Sequence, residues 1–268
     1  MRCPIFCVLV CSLAAVAGSG PVPAQQVLWE VLGTGTGYGL VGSLRDLDMD
    51  GVEDILAGHV AAAANTGFLQ VLSGSDGTVV YELWGAAPGS FLQTQGIFGD
   101  LDGDDFPDVV VGKSFAPGRV QAYSLAPTGV ATYGAACPLP SGALPRIGAT
   151  GSPALGTTFA VNLSSVPPWS YAGLLMGFSA TQSGANALPL DLAPLGLPGC
   201  SLLVSFDVFL PTQALETSPG IGAASLAFGV PNDPALAGAT VFAQWAVANP
   251  PSSPAIASLT RGLAITLQ

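Results

Sequence analysis

The chain has 268 residues, half of them hydrophobic, which is ample material for a buried core and argues against extended disorder. Charged residues make up only 9%, and 35 glycines with 23 prolines leave little from which to build long solvated helices, so an all-helical fold is disfavoured. The 17 acidic residues outnumber the 6 basic ones, and the resulting net charge of −11 argues against a nucleic-acid partner and favours cations as small ligands.

Residues 1–24 have the layout of a secretory signal peptide. One basic residue, Arg2, precedes an apolar run at 5–17, and small residues with prolines follow. Cleavage fits after Ala17 or after Ala24, and we take Ala24 as the end of the segment. We therefore expect a secreted protein or one at the cell surface or in the periplasm. No later apolar run predicts a membrane span.

The acidic residues divide the rest of the chain into two halves of different composition. Thirteen of the 17 lie between Glu30 and Asp108, whereas residues 129–268 carry only four acidic and two basic side chains. Together with the turn-forming sequence at 126–129, this step predicts a domain boundary near residue 128. We call residues 25–128 the first half and residues 129–268 the second half.

Two acidic segments of the first half repeat at a spacing of 54 residues; residues 46–54 are the first loop and residues 100–108 the second loop. Short apolar runs that predict β-strands flank each loop. An alternating run follows at 68–72 and at 120–125, and a further strand is predicted at 78–83. A period near 50 residues made of several short strands is typical of propeller-type repeats.

Each loop contains the oxygen donors that a hard cation requires. Carboxylates at loop positions 1, 3, 5 and 9, with a main-chain carbonyl at position 7, can converge on one ion, and Ca²⁺ suits this set best. The predicted ligands are Asp46, Asp48, Asp50, the carbonyl of Val52, and Asp54 in the first loop, and Asp100, Asp102, Asp104, the carbonyl of Phe106, and Asp108 in the second. Gly51 permits the sharp turn at position 6, whereas Asp105 adopts it at a cost, so we expect a weaker second site.

An EF-hand begins with the same spacing but does not fit the rest of either loop. Its position 12 is Glu, where this chain has Ala57 and Val111, and the runs after the loops are short and β-type rather than helical.

His59 is the only histidine and no Gly-x-Ser-x-Gly elbow is present, so we expect no enzyme activity. The metal is therefore predicted to be structural.

The first half resembles FG-GAP repeats, the related VCBS repeat and the calcium-binding blades of the integrin alpha-chain propeller. Tyr38-Gly39 stands at the Phe-Gly signature, residues 46–54 match the calcium hairpin and residues 67–83 match the closing hairpin of a blade. The second copy matches from Phe98-Gly99 through the second loop. The resemblance covers about residues 27–125. It implies binding or adhesion, with two propeller-like repeats whose open edges must be covered by the second half, by another copy, or not at all.

The second half predicts a β-sandwich or jelly roll, because short apolar runs alternate with Gly- and Pro-rich turns. The runs are 157–163, 172–178, 201–210, 225–230, 240–247 and 262–267.

Loss of the first 24 residues leaves Cys137 and Cys200, which we expect to form a disulfide in an oxidising compartment. Several of its segments, such as 188–192 and 230–238, resemble a C-terminal module of secreted planctomycete-type proteins. The four tryptophans sit among apolar neighbours, which favours core packing over stacking on sugars.

The sequence as a whole predicts a secreted, all-β, calcium-binding interaction or adhesion protein. Its expected partner is a protein or glycan at a cell surface or in a matrix. A carbohydrate-binding, lectin-like module is the alternative, followed by a structural envelope component that self-associates through open sheet edges.

Overall fold

A computed structural model describes residue 28 and residues 30–31, 40–43, 46–47, 52–59, 66–85, 93–113 and 118–268. The predicted signal segment lies outside these residues, as does Trp29. The fold is all-β, as predicted: besides strands, the described part contains two three-residue 3₁₀ turns, Ala193–Leu195 and Pro234–Leu236. Within that part, no helix is long and apolar enough to cross a membrane.

The first half forms two antiparallel sheets in which each strand pairs with the next along the chain. One sheet consists of β1 (Leu40–Ser43), β2 (Ile55–His59), β3 (Phe68–Leu72) and β4 (Val79–Trp84). The other consists of β5 (Gln93–Gly99), β6 (Asp108–Lys113) and β7 (Arg119–Ser124). The first loop joins β1 to β2 and the second loop joins β5 to β6, so the sequence repeat corresponds to a repeated hairpin.

A small apolar core joins these two sheets, because strands from both contribute to it. Its buried members are Leu56, Leu69, Val71, Val109, Val111 and Leu125. None of the sheets in the described part of the chain closes on itself. The arrangement is thus a pair of open meanders.

The second half contains two larger antiparallel sheets. The four-stranded sheet has the order β17 (Leu215–Ser218), β18 (Ile221–Gly229), β10 (Thr158–Val166) and β9 (Arg146–Gly151). The five-stranded sheet has the order β16 (Val208–Gln213), β11 (Tyr171–Gly177), β19 (Thr240–Ala248), β20 (Ala257–Thr266) and β8 (Val130–Tyr133). Two short hairpins pair β12 (Gln182–Ser183) with β13 (Asn186–Ala187) and β14 (Leu190–Asp191) with β15 (Ser201–Leu202).

One apolar core lies between the two larger sheets and receives inward side chains from both. Ile147, Val161 and Leu163 come from the four-stranded sheet, and Leu174 and Trp245 come from the five-stranded sheet; all five are fully buried. The indole nitrogen of Trp245 donates a hydrogen bond to the carbonyl of Asn162 at 3.1 Å, which ties the sheets together across the core. The alternation of apolar residues along β10 and β19 accounts for this two-layer packing.

The expectation of one run at 201–210 is wrong, because the structure divides it between two sheets. β15 pairs with β14, and β16 pairs with β11 after an irregular stretch at 203–207. The irregular stretch is held by polar contacts: the Asp207 carboxylate accepts from the Ser205 hydroxyl at 2.7 Å and from the Phe178 N–H at 3.1 Å. Local hydrogen bonds of this kind compete with a continuous strand.

The predicted disulfide between Cys137 and Cys200 is present, and it joins residues 63 positions apart. Both half-cystines are buried in a second apolar cluster with Leu175, Val204 and Leu259. The bond therefore fastens the segment around β15 to the outer face of the five-stranded sheet.

All pairs among the described strands join two strands from the same side of residue 128. Residues 31–268 nevertheless form one compact unit. Sheet membership thus changes between β7 and β8, while the two halves remain packed together.

Candidate metal centre

The second loop is a tight turn between the end of β5 and the start of β6. Its backbone is left-handed at Gly103, with φ 78°, and again at Asp105, with φ 71°. Asp105 thus takes up the costly conformation that the sequence predicts for position 6. Two left-handed residues in so short a segment let the chain wrap around a central point.

Backbone N–H groups of the second loop donate to its own carboxylates and thereby fix their direction. The N–H of Asp104 donates to Asp102 at 3.1 Å, and the N–H of Asp105 donates to Asp100 at 3.1 Å. The N–H of Leu101 donates to one oxygen of Asp108 at 2.5 Å. These bonds orient the carboxylates along the loop backbone, with Asp108 buried and Asp102 still exposed to solvent.

Three of the predicted ligands of the second loop come together. One carboxylate oxygen each from Asp100, Asp102 and Asp108 lie within 4.8 Å of one another. Asp108 is only 3% exposed, and Oδ1 of Asp108 and Oδ1 of Asp100 are buried with no hydrogen-bond partner. Buried carboxylate oxygens are costly without a partner, and a cation supplies one. The residues present therefore fit a metal ion.

The other two predicted ligands of the second loop have additional contacts. Asp104 accepts from the N–H of Phe106 at 2.8 Å and from the hydroxyl of Ser124 at 3.4 Å. Burial raises the pKa of Asp104 to about 6, with smaller contributions from the neighbouring carboxylates, while the Phe106 N–H opposes the rise. The side chain of Phe106 is buried in the core of the second half.

The first loop is described at its two ends. Asp46 is half-buried, Val52 is exposed and Asp54 is fully buried, whereas Asp48, Asp50 and Gly51 lie outside the described residues. The N–H of Leu47 donates to Asp54 at 2.7 Å, which is the counterpart, 54 residues earlier, of the bond from Leu101 to Asp108. In both loops, the N–H of position 2 therefore donates a hydrogen bond to the carboxylate at position 9.

Glycine is required where the first loop meets the turn between β3 and β4. The N–H of Gly74 lies 3.4 Å from the second carboxylate oxygen of Asp54. A side-chain carbon at Gly74 would lie 2.0 Å from the carbonyl oxygen of Glu53, so a larger residue is excluded unless the backbone moves. This close approach places a backbone donor beside the buried carboxylate.

Sequence reasoning missed three residues of the second half that contact the second loop. Arg146 lies 3.8 Å from the Asp100 carboxylate, Arg261 donates to the carbonyl of Gly103, and Thr132 donates to the carbonyl of Asp104 at 2.8 Å. Burial raises the pKa of Asp105, an effect that Arg146 and Arg261 partly offset. The available clue was that these two arginines are the only basic residues of the second half.

The first residues of both loops line one cavity of about 110 Å³. Asp46 and Asp100 lie on its wall together with Arg146 and Asn162. The two acidic hairpins thus meet the four-stranded sheet of the second half at a common place.

No family model and no curated protein matches this chain. The resemblance to FG-GAP repeats therefore remains a prediction based on the sequence motifs.

Proposed function

We propose that this is a secreted calcium-binding protein of the interaction or adhesion type, in which Ca²⁺ fastens the acidic hairpins of the first half. The observation that carries the proposal is the group formed by Asp100, Asp102 and Asp108, with buried oxygens of Asp100 and Asp108 that lack a partner. The matching bond from Leu47 to Asp54 extends the proposal to the first loop.

The chemistry of the donors favours Ca²⁺ over other metals. The clustered groups are carboxylates, which suit hard cations, and neither histidine nor cysteine belongs to the cluster. Ca²⁺ accepts irregular oxygen shells, whereas Mg²⁺ requires a near-ideal octahedron. We assign the metal a structural role because the loop carboxylates are directed at one another and at loop N–H groups.

The proposed architecture is a short propeller-like array followed by a sandwich of the jelly-roll type. The meander from β1 to β4 has the strand order of a propeller blade, and β5 to β7 supply three strands of a second one. Open edges of such blades offer main-chain groups for pairing, which supports a protein partner or self-association.

Calorimetric titration with Ca²⁺ tests the metal assignment. We expect binding to two sites in the intact chain and to one site in Asp102→Asn. The matched control is Asp233→Asn, which should keep both sites because Asp233 lies outside both loops and caps a 3₁₀ turn of the second half. Two sites retained in Asp102→Asn would contradict the assignment. A pull-down from extracellular material with Ca²⁺ and with chelator then tests the adhesion role.

A carbohydrate-binding role is the second candidate, and an exposed aromatic surface favours it. Tyr171 is 72% exposed and Phe209 49% exposed on the outer face of neighbouring strands. Gly173 lets the ring of Phe209 lie across the sheet, since a side-chain carbon there would come within 2.1 Å of the ring. Flat exposed rings of this kind can stack on apolar sugar faces.

Glycan-array binding tests the second candidate. We expect Tyr171→Ala to lose any glycan binding, while Val120→Ala, at an exposed position of β7 in the first half, retains it. An array on which the intact protein binds nothing in Ca²⁺ or in chelator would eliminate this function.

A further inference from the structure

The second loop contacts three different strands of the second half. Arg146 begins β9, Thr132 lies on β8 and Arg261 lies on β20, and each of them meets a different residue of the loop. The strands belong to both sheets of the second half. The loop therefore sits against the sandwich itself and not against one flexible connection.

A fourth contact between the second loop and the second half is apolar. Phe106 is 3% exposed, and it belongs to the same buried cluster as Ile147, Leu163 and Trp245. A residue at position 7 of a proposed metal loop thus fills part of the core of the other half. Its main chain is fixed by the loop, because its N–H donates to Asp104 at 2.8 Å.

The charges of the two halves are complementary at this contact. The second loop carries five carboxylates within nine residues, and the second half has only two basic residues, Arg146 and Arg261. Both of them reach the loop. Two guanidinium groups do not neutralise five carboxylates, so a divalent cation in the loop would relieve most of the remaining repulsion.

We propose that the second loop is a metal-dependent latch, in which bound Ca²⁺ holds the first half against the second half. This inference rests on the proposed metal site and adds what the site controls. The metal-bound loop presents the Gly103 and Asp104 carbonyls to Arg261 and Thr132 and directs Phe106 into the core. Without metal, repulsion among the carboxylates opens the loop, withdraws Phe106 and separates the halves.

Thermodynamic linkage allows the latch to be tested by substituting residues of the second half that contact the second loop. If metal binding favours docking, then docking must favour metal binding by the same factor. Residues of the second half that are not metal ligands therefore set the affinity of the second loop. If the metal stabilised only the hairpin itself, substitutions at these residues would leave the Ca²⁺ affinity unchanged.

The experiment measures Ca²⁺ affinity by calorimetry in the full chain carrying Asp48→Asn, which leaves the second loop as the site observed. We expect Thr132→Val to weaken binding about fivefold, because it removes one docking hydrogen bond at nearly constant volume. Thr212→Val is the matched control, since Thr212 lies on β16 at the opposite edge of the same sheet.

Arg261→Met tests the latch through the direction in which the Ca²⁺ affinity changes. Removing a positive charge near the loop should tighten Ca²⁺ binding if only charge matters, whereas loss of the latch should weaken it.

Small-angle scattering of the unsubstituted chain gives a second readout. We expect a radius of gyration of about 18 Å in Ca²⁺, the value for a compact chain of this length, and a clear increase in chelator.

The outcomes separate the two proposals. Weaker binding in Thr132→Val and Arg261→Met, with expansion in chelator, supports the latch. Equal affinities in Thr132→Val and Thr212→Val, with an unchanged radius of gyration in chelator, would overturn the latch and leave the metal site standing. Absence of any Ca²⁺ binding in the Asp48→Asn chain would overturn both.

Discussion

The two halves of this protein stabilise antiparallel sheets by different means. In the second half, two sheets share a large apolar core, and a disulfide fastens a second cluster to the outer face. In the first half, the core found among the described residues is small, while ten acidic residues are concentrated in two loops. Small sheets with little buried apolar area need additional fasteners, and the halves use covalent sulfur in one case and, we propose, Ca²⁺ in the other.

The largest effect should come from removing the covalent fastener. Replacing both cysteines, Cys137→Ser with Cys200→Ser, should lower the free energy of unfolding by about 4 kcal/mol, because the unfolded chain regains a 63-residue loop. Urea unfolding followed by tryptophan fluorescence, to which the buried Trp245 contributes, measures it. An unchanged urea midpoint would show that the disulfide does not stabilise the second half.

Next in size is the loss of the side chain that connects the halves. Phe106→Ala should cost about 3 kcal/mol, because it empties space in a core built mostly from the second half. Phe178→Ala is the control, since the Phe178 side chain is 72% exposed. Equal unfolding midpoints for the two variants would show that Phe106 is not part of the core.

A single bound calcium ion should contribute slightly less than the Phe106 side chain. At a free concentration about 100 times the dissociation constant, each site adds about 2.7 kcal/mol. Thermal unfolding in Ca²⁺, in Mg²⁺ and in chelator should give the highest melting temperature in Ca²⁺, with Mg²⁺ much less effective. Identical curves in Ca²⁺ and chelator would be incompatible with a metal fastener.

The smallest expected effect concerns a hydrogen bond within the second half. The hydroxyl of Tyr133 donates to the carbonyl of Leu203 at 2.9 Å, and burial raises the pKa of Tyr133. Tyr133→Phe should cost about 1 kcal/mol in urea unfolding, because it leaves that carbonyl without this donor. Tyr171→Phe should change nothing measurable, since Tyr171 is exposed.

The strands of the first half could be predicted well because short apolar runs between turn residues leave few alternatives. The predicted runs at 68–72 and 78–83 correspond to β3 (Phe68–Leu72) and β4 (Val79–Trp84). The left-handed backbone of Asp105 also followed from its place in the loop. These features depend on neighbours within a few residues, which a sequence shows directly.

Features that depend on distant contacts could not be predicted in the same way. Core packing was expected for the tryptophans, yet Trp84 and Trp169 are 50% and 58% exposed, and only Trp245 among the three described is buried. Their local sequences are similarly apolar, so burial was decided by the sheet that covers each one. Likewise, Arg261 meets Gly103 across 158 positions, a pairing that no local pattern contains.

Calorimetric titration of the intact chain with Ca²⁺ is the decisive measurement of whether carboxylates of the acidic hairpins bind a divalent cation. We expect two sites, one of which disappears in Asp108→Asn, because this substitution replaces the most deeply buried member of the Asp100, Asp102 and Asp108 group. A chain that takes up no Ca²⁺, or that binds it equally well after the Asp108→Asn substitution, would show that these carboxylates do not form a calcium site.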